Sequence, residues 1–138
     1  MTCGLVILAD RHPSVLEGFR RILETEVESV LMVADEVSLM RALERMVPDL
    51  VVAELSLPIA GERNVVRLIK KQHPEIRIII VSVHDEQAVL KEVMQAGAEG
   101  FVLKRRAVID LIPAIRQVCE GGRFVSADME TYDNVKGG

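Results

Sequence analysis

Tryptophan is missing from this chain, and only one tyrosine and three phenylalanines are present, so any core must be built from aliphatic side chains. Cysteine occurs twice, at Cys3 and Cys119. The two lack the CxxC spacing of a metal or redox motif and read as free thiols of a reducing cytosol. Basic residues do not prevail: 17 Lys and Arg stand against 21 Asp and Glu, a formal net charge of −4. That balance argues against these residues gripping nucleic acid or anionic lipid by themselves. No apolar run approaches the length of a membrane span, and Met1 leads into a strand pattern instead of a basic-then-apolar signal. The 138 residues suffice for one sizeable core, so the expectation is a single acidic domain in the cytoplasm.

What is present is an alternation of apolar runs and amphipathic segments. Strands are expected at Leu5–Ala9, Ser29–Ala34, Leu50–Ala53, Ile76–Ser82 and Gly100–Leu103. Several of these runs are continuous in apolar character, as in parallel strands covered on both faces. Helices are expected between and after them at about 14–25, 38–46, 63–73, 86–96 and 108–120. Pro13 suits a helix start, Asp85 an N-cap, and Gly97 and Gly121 C-cap positions. Pro113 inside the last helix removes a backbone donor and opposes the carbonyl of Ile109, so that helix should kink or start late. The βα alternation predicts an α/β doubly wound parallel sheet with right-handed crossovers. The stretch from Arg123 to Gly138 is polar and turn-rich, a frayed tail or the start of a linker.

In open α/β sheets the functional crevice lies beyond the carboxyl ends of the strands. That rule gathers Asp10, Arg11 and His12 after strand one, Glu54 at strand three, Ser82 at strand four and Lys104 at strand five. Asp49 and Glu75 fall at the opposite ends. The loop Asp10–Ser14 has neither GxGxxG nor Walker spacing, which excludes the usual dinucleotide and nucleoside triphosphate sites. No nucleophile elbow with a Ser-His-Asp set is present. Such a rim suits a small anion or a divalent cation. His12 and His84 border it as solvated or capping side chains, with no metal role assigned. Arg105 and Arg106 form a small basic turn rather than a nucleic-acid site.

The segments 9-ADRHPSVLEGF-19, 82-SVHDE-86, 96-AGAEGFVLK-104 and 121-GGRFVS-126, together with the rim residues, resemble response-regulator receiver domains of the LuxR/NarL type, the phosphoacceptor halves of two-component systems. The resemblance covers about Leu5 to Ser126. It implies a flavodoxin-like five-stranded sheet of order 2-1-3-4-5 with five helices, a receiver over 1–126, and a tail or linker over 127–138. In that family two acids after strand one hold Mg²⁺ and an aspartate at the end of strand three accepts a phosphoryl group. A Ser/Thr and a Lys stabilise that group, and an aromatic on strand five switches rotamer. Asp10 matches the first acid, Ser82 the hydroxyl, Lys104 the lysine, Phe101 the aromatic and Pro58 the proline after the acceptor. The acceptor position holds Glu54 and the second acid is replaced by Arg11. Gly61 stands one residue before the family's glycine position, where Glu62 sits.

Both departures bear on chemistry. Phosphoryl transfer needs the metal to bridge carboxylate and phosphoryl oxygens, and one extra methylene displaces the nucleophile from that geometry. Arg11 removes an anionic ligand and adds a permanent cation. The expectation is therefore an atypical receiver without the usual phosphorylation, no resident cofactor, and at most a residual Mg²⁺ contact at Asp10. Glu54, held ionised by Arg11 and Lys104, would mimic a phosphorylated aspartate and fix one signalling state. The competing expectations are a working phosphoacceptor using Glu54 or Asp10 with Mg²⁺, and a small metal-dependent phosphatase on the same fold. The resemblance implies a protein partner or effector domain and a homodimer among the options. DNA binding would belong to a helix-turn-helix domain beyond these residues.

Overall fold

The computed structural model describes residues 3–129, the side chain of Asp128 excepted. Five strands appear where continuous apolar runs predict them: β1 Leu5–Ala9, β2 Ser29–Val33, β3 Leu50–Glu54, β4 Ile78–Ser82 and β5 Gly100–Leu103. Five helices follow them: α1 Pro13–Leu23, α2 Glu36–Arg45, α3 Val65–Gln72, α4 Gln87–Gln95 and α5 Ala107–Cys119. Alternating residues of the buried strands feed two cores. Ile7, Val51, Ile78, Ile80 and Phe101 pack with α2, α3 and α4, while Val6, Leu8, Val52, Ile79 and Val102 pack with α1 and α5. Coverage of both faces is why these strands carry no polar alternation.

The sheet has six parallel strands in the order β2-β1-β3-β4-β5-β6, not the expected five. The extra strand, β6 at Phe124–Val125, pairs with β5 in the polar stretch expected to be a frayed tail or the start of a linker, and within the expected receiver bounds of 1–126. Beyond it Met129 is buried in the core on the α2–α4 side. The rest of the expected tail, 130–138, lies outside the described residues.

Helix ends follow local chemistry. Pro13 opens α1, and the side chains of Asp35 and Asn64 accept hydrogen bonds from the Ser38 and Arg67 amides at the starts of α2 and α3. Gly97 and Gly121 follow α4 and α5 with φ of 111° and 95°, the left-handed conformation that suits glycine after a helix. Asp85 does not cap α4. Glu86 holds that position without a side-chain hydrogen bond, and Asp85 pairs with Arg105 at 3.4 Å. Nor does Pro113 delay α5, which runs from Ala107 to Cys119 as one helix. Its ring is exposed and Ile109 is 65% exposed, so water can serve the carbonyl that loses its partner.

Cys3 and Cys119 are not free thiols: they form a disulfide, with Cα atoms 5.9 Å apart across a sequence separation of 116. Entry into β1 and the end of α5 meet at one end of the sheet, a proximity that linear spacing does not reveal. Among the described residues no helix is long and apolar enough to cross a membrane.

Candidate functional site

Parallel strands deliver their carboxyl ends to one rim, and four of them bring polar groups there. Asp10 directly follows β1, Glu54 closes β3, Ser82 closes β4 and Lys104 directly follows β5. Asp10 is 1% exposed and Glu54 4%, so both carboxylates need partners. Lys104 supplies the shared one. Its Nζ lies 3.1 Å from Asp10 Oδ2 and 3.7 Å from Glu54 Oε1. The second oxygen of each carboxylate is held locally. Asp10 Oδ1 accepts from the His12 amide at 2.8 Å and contacts its Nδ1 at 3.2 Å. Glu54 Oε2 accepts from the Ser56 amide at 2.8 Å and from the hydroxyl of the same serine.

The longer side chain of glutamate explains this arrangement. One added methylene carries the Glu54 carboxylate past the strand end, so one oxygen folds onto the turn at Ser56 and the other faces Lys104.

Arg11 does not join the cluster. It is exposed and makes no hydrogen bond or ion pair among the described residues, so the expected pair of cations against Glu54 is reduced to one. The physical reason is its place: Asp10 turns inward below the rim, and the next residue of the loop faces water. Ser82 is buried at the rim, but its hydroxyl serves its own loop, accepting from the His84 amide at 2.9 Å. Phe101 is wholly buried in the core. His12 contacts Asp10, and His84 Nδ1 lies 3.8 Å from Glu86.

The donor set is a poor match for Mg²⁺. Hard divalent cations take several oxygen ligands, yet the two carboxylates here share a lysine, and the position that the resemblance gives to a second acid holds Arg11. Among the described residues no group of three or more His, Cys, Asp or Glu is arranged to hold a metal ion.

A second, buried network supports the Lys104 turn and lies outside the residues that the crevice rule gathers. The Ser126 hydroxyl accepts from the Leu103 amide at 3.0 Å and donates to Asp110 Oδ2 at 2.7 Å. Arg106 Nε donates to the same Asp110 oxygen at 2.9 Å. Ser126 and Asp110 are both buried, so the residue after β6, the end of β5 and α5 are locked together beside Lys104. The serine of 121-GGRFVS-126 was the available signal. An aspartate among the apolar residues of α5 gave none.

The fold matches a known family. The model of the response regulator receiver domain matches residues 6–116. The chain belongs to that family. Response regulator UvrY of Escherichia coli O157:H7 is 34% identical over 130 residues, covering 90% of this receiver and 58% of that protein. A LuxR-family two-component response regulator from Aurantimonas sp. SI85-9A1 superposes with a TM-score of 0.88 at 31% identity, over 99% of this chain and 98% of that one. The isolated receiver domain of RcsB from Salmonella enterica serovar Typhimurium, solved in the presence of phosphomimetic BeF₃⁻, gives 0.85 at 29% identity, over 94% and 97%. RcsB has also been solved as two dimers bound to two parallel DNAs, with a TM-score of 0.83 at 30% identity, over 93% of this chain and 66% of that one. The receiver is thus of the LuxR type, and it spans 52% of one curated relative, DegU of Brevibacillus brevis, and 58% of UvrY.

Proposed function

We propose that this receiver works in a bacterial signalling or transcription regulator by protein–protein contact, without phosphoryl transfer at Glu54. The observation that supports it most is the closed charge cluster: Lys104 reaches both Asp10 and Glu54, and Glu54 Oε2 is turned onto Ser56. A nucleophilic carboxylate must present an oxygen to the incoming phosphorus at about 3–3.5 Å with open approach. Here one oxygen is tied to a turn and the other faces an ammonium. The catalytic cation of the family would have to displace Lys104 and find a third oxygen donor in place of Arg11.

The receiver is accordingly a binding module held in one signalling state by its own side chains. Among the described residues Lys104 is the cation that faces Glu54, so the mimicry of a phosphorylated aspartate rests on it. Its output goes to a protein partner or an effector domain. Where a helix-turn-helix domain follows in the longer protein, DNA binding belongs to that domain, by analogy with the DNA-bound RcsB dimers.

Restoring the acids tests this reading. Arg11→Asp combined with Glu54→Asp should create a Mg²⁺ site measurable by titration calorimetry, while the native receiver takes up none. Equal Mg²⁺ binding by both proteins would overturn it.

A further inference from the structure

Among the described residues β2 occupies one edge of the sheet, paired on one side only, with β1. Its sequence, 29-SVLMV-33, carries no charge and no proline. Edge strands ordinarily have such devices, or a covering element, because their outward N–H and C=O groups are templates for another strand. The direction of those groups can be read from the ladder. The Ser29 amide donates to the Gly4 carbonyl and the Val33 carbonyl accepts from the Asp10 amide, both toward β1. Backbone groups alternate along a strand, so the N–H and C=O of Val30 and Met32 face outward.

Beside this edge runs a groove of about 300 Å³ between β2 and α2, lined by Leu31, Val33, Ala42, Met46 and the side chains of Arg41 and Arg45. Leu31 and Val33 belong to the apolar face that packs toward α2. Arg41 and Arg45 are both exposed and make no hydrogen bond or ion pair among the described residues. Asp35 offers Arg41 only a weaker attraction through space. Val37, 60% exposed, lies one turn earlier on the same stripe of α2.

We infer that the β2 edge, with its arginine-banked groove, is a docking site for an extended acidic–apolar segment of another protein, added to the sheet as a seventh strand. The chemistry fits on three counts. Outward backbone groups of Val30 and Met32 give the ladder its hydrogen bonds. Alternate side chains of an added strand recur about every 6.8 Å, close to the roughly 6 Å rise between Arg41 and Arg45 on α2, so two acids on one face can meet both arginines. An apolar residue on that face enters the floor of Leu31, Val33 and Met46. A second copy of this chain fits worse. Antiparallel pairing of β2 with β2 about a two-fold axis normal to the sheet would bring α2 against α2 and set the unpaired arginines of both copies against each other.

The test uses a short acetylated and amidated peptide of the pattern Thr-Glu-Thr-Glu-Thr-Val, in which two successive glutamates and a valine share one face, and a control with lysine in place of glutamate. The glutamate peptide should bind the whole chain, slow hydrogen exchange at the Val30 and Met32 amides, and lose affinity about tenfold or more with Arg41→Glu/Arg45→Glu. Both arginines are exposed, and circular dichroism verifies that this variant is folded. Three results would each overturn the inference: no binding up to millimolar peptide, protection elsewhere on the domain, or binding that the charge reversal and the lysine peptide leave unchanged. Protection of the Val30 and Met32 amides that rises with receiver concentration alone, without peptide, would assign the edge to a second copy and overturn it as well.

Discussion

Replacing Lys104 by methionine keeps the side chain's bulk and removes a cation that serves two buried carboxylates. At the observed 3.1 Å and 3.7 Å, and with an effective dielectric near 20, the two attractions are gross terms of about 5 and 4.5 kcal/mol. Most of each offsets the cost of taking the charges out of water, so the gross sum is not the loss to expect. Removing one partner of a buried ion pair typically costs about 3–5 kcal/mol, because the remaining charge is left uncompensated. Lys104 is 19% exposed on its side chain, so water can enter, and the low end, about 3 kcal/mol, is the expected loss. Urea unfolding followed by circular dichroism reads it as a midpoint lowered by about 1.5 M, for a slope near 2 kcal/mol/M. The sharper arm adds Glu54→Gln to Lys104→Met, which removes one excess negative charge while keeping an acceptor for the Ser56 amide. The double variant should regain at least about 1 kcal/mol relative to Lys104→Met alone, the non-additivity expected of directly coupled groups. A loss under about 1 kcal/mol for Lys104→Met, or a second substitution that only adds to the damage, would refute the electrostatic reasoning.

Three further outcomes follow from the buried and exposed contacts. Ser126→Ala should cost about 1–3 kcal/mol by leaving the Leu103 amide and Asp110 short of a partner, and native-state hydrogen exchange should show the Leu103 amide exchanging faster. Reducing the Cys3–Cys119 bridge, which closes a loop across 116 positions, should lower stability by up to roughly 5 kcal/mol on the chain-entropy account; matched urea melts with and without reductant measure it. The Asp35 carboxyl is held below its ordinary value, chiefly by the Ser38 amide hydrogen bond. A depressed carboxylate contributes stability above its unfolded-state value and loses it as pH falls through the folded one. The stability gap between the native chain and Asp35→Ala should therefore be widest near neutral pH and narrow in acid, as thermal melts across that range would show.

Much of this architecture is legible without coordinates, for identifiable reasons. β1 and β5 lie where their apolar runs begin and end, because strands covered on both faces have no polar residue to blur the pattern. The crevice rule brings Asp10, Glu54, Ser82 and Lys104 to the same rim, since parallel strands share a direction. What escapes is orientation and pairing. Arg11 follows a rim residue yet faces water, and the Ser82 hydroxyl turns to His84, because adjacency to a strand end does not decide where a loop side chain points. β6 is two residues long and has no period to detect. Cys3 and Cys119 meet only through the topology. The Asp110–Ser126 contact depends on a strand that the apolar pattern could not reveal.

Glu54, closed in by Lys104 and Ser56, should not accept a phosphoryl group. Intact-mass spectrometry after incubation with acetyl phosphate and Mg²⁺ tests it most directly. The chain should keep its unmodified mass, while Arg11→Asp/Glu54→Asp acquires a phosphoryl adduct under the same conditions. A covalent adduct on the native chain, mapped to Glu54 or Asp10, would contradict it.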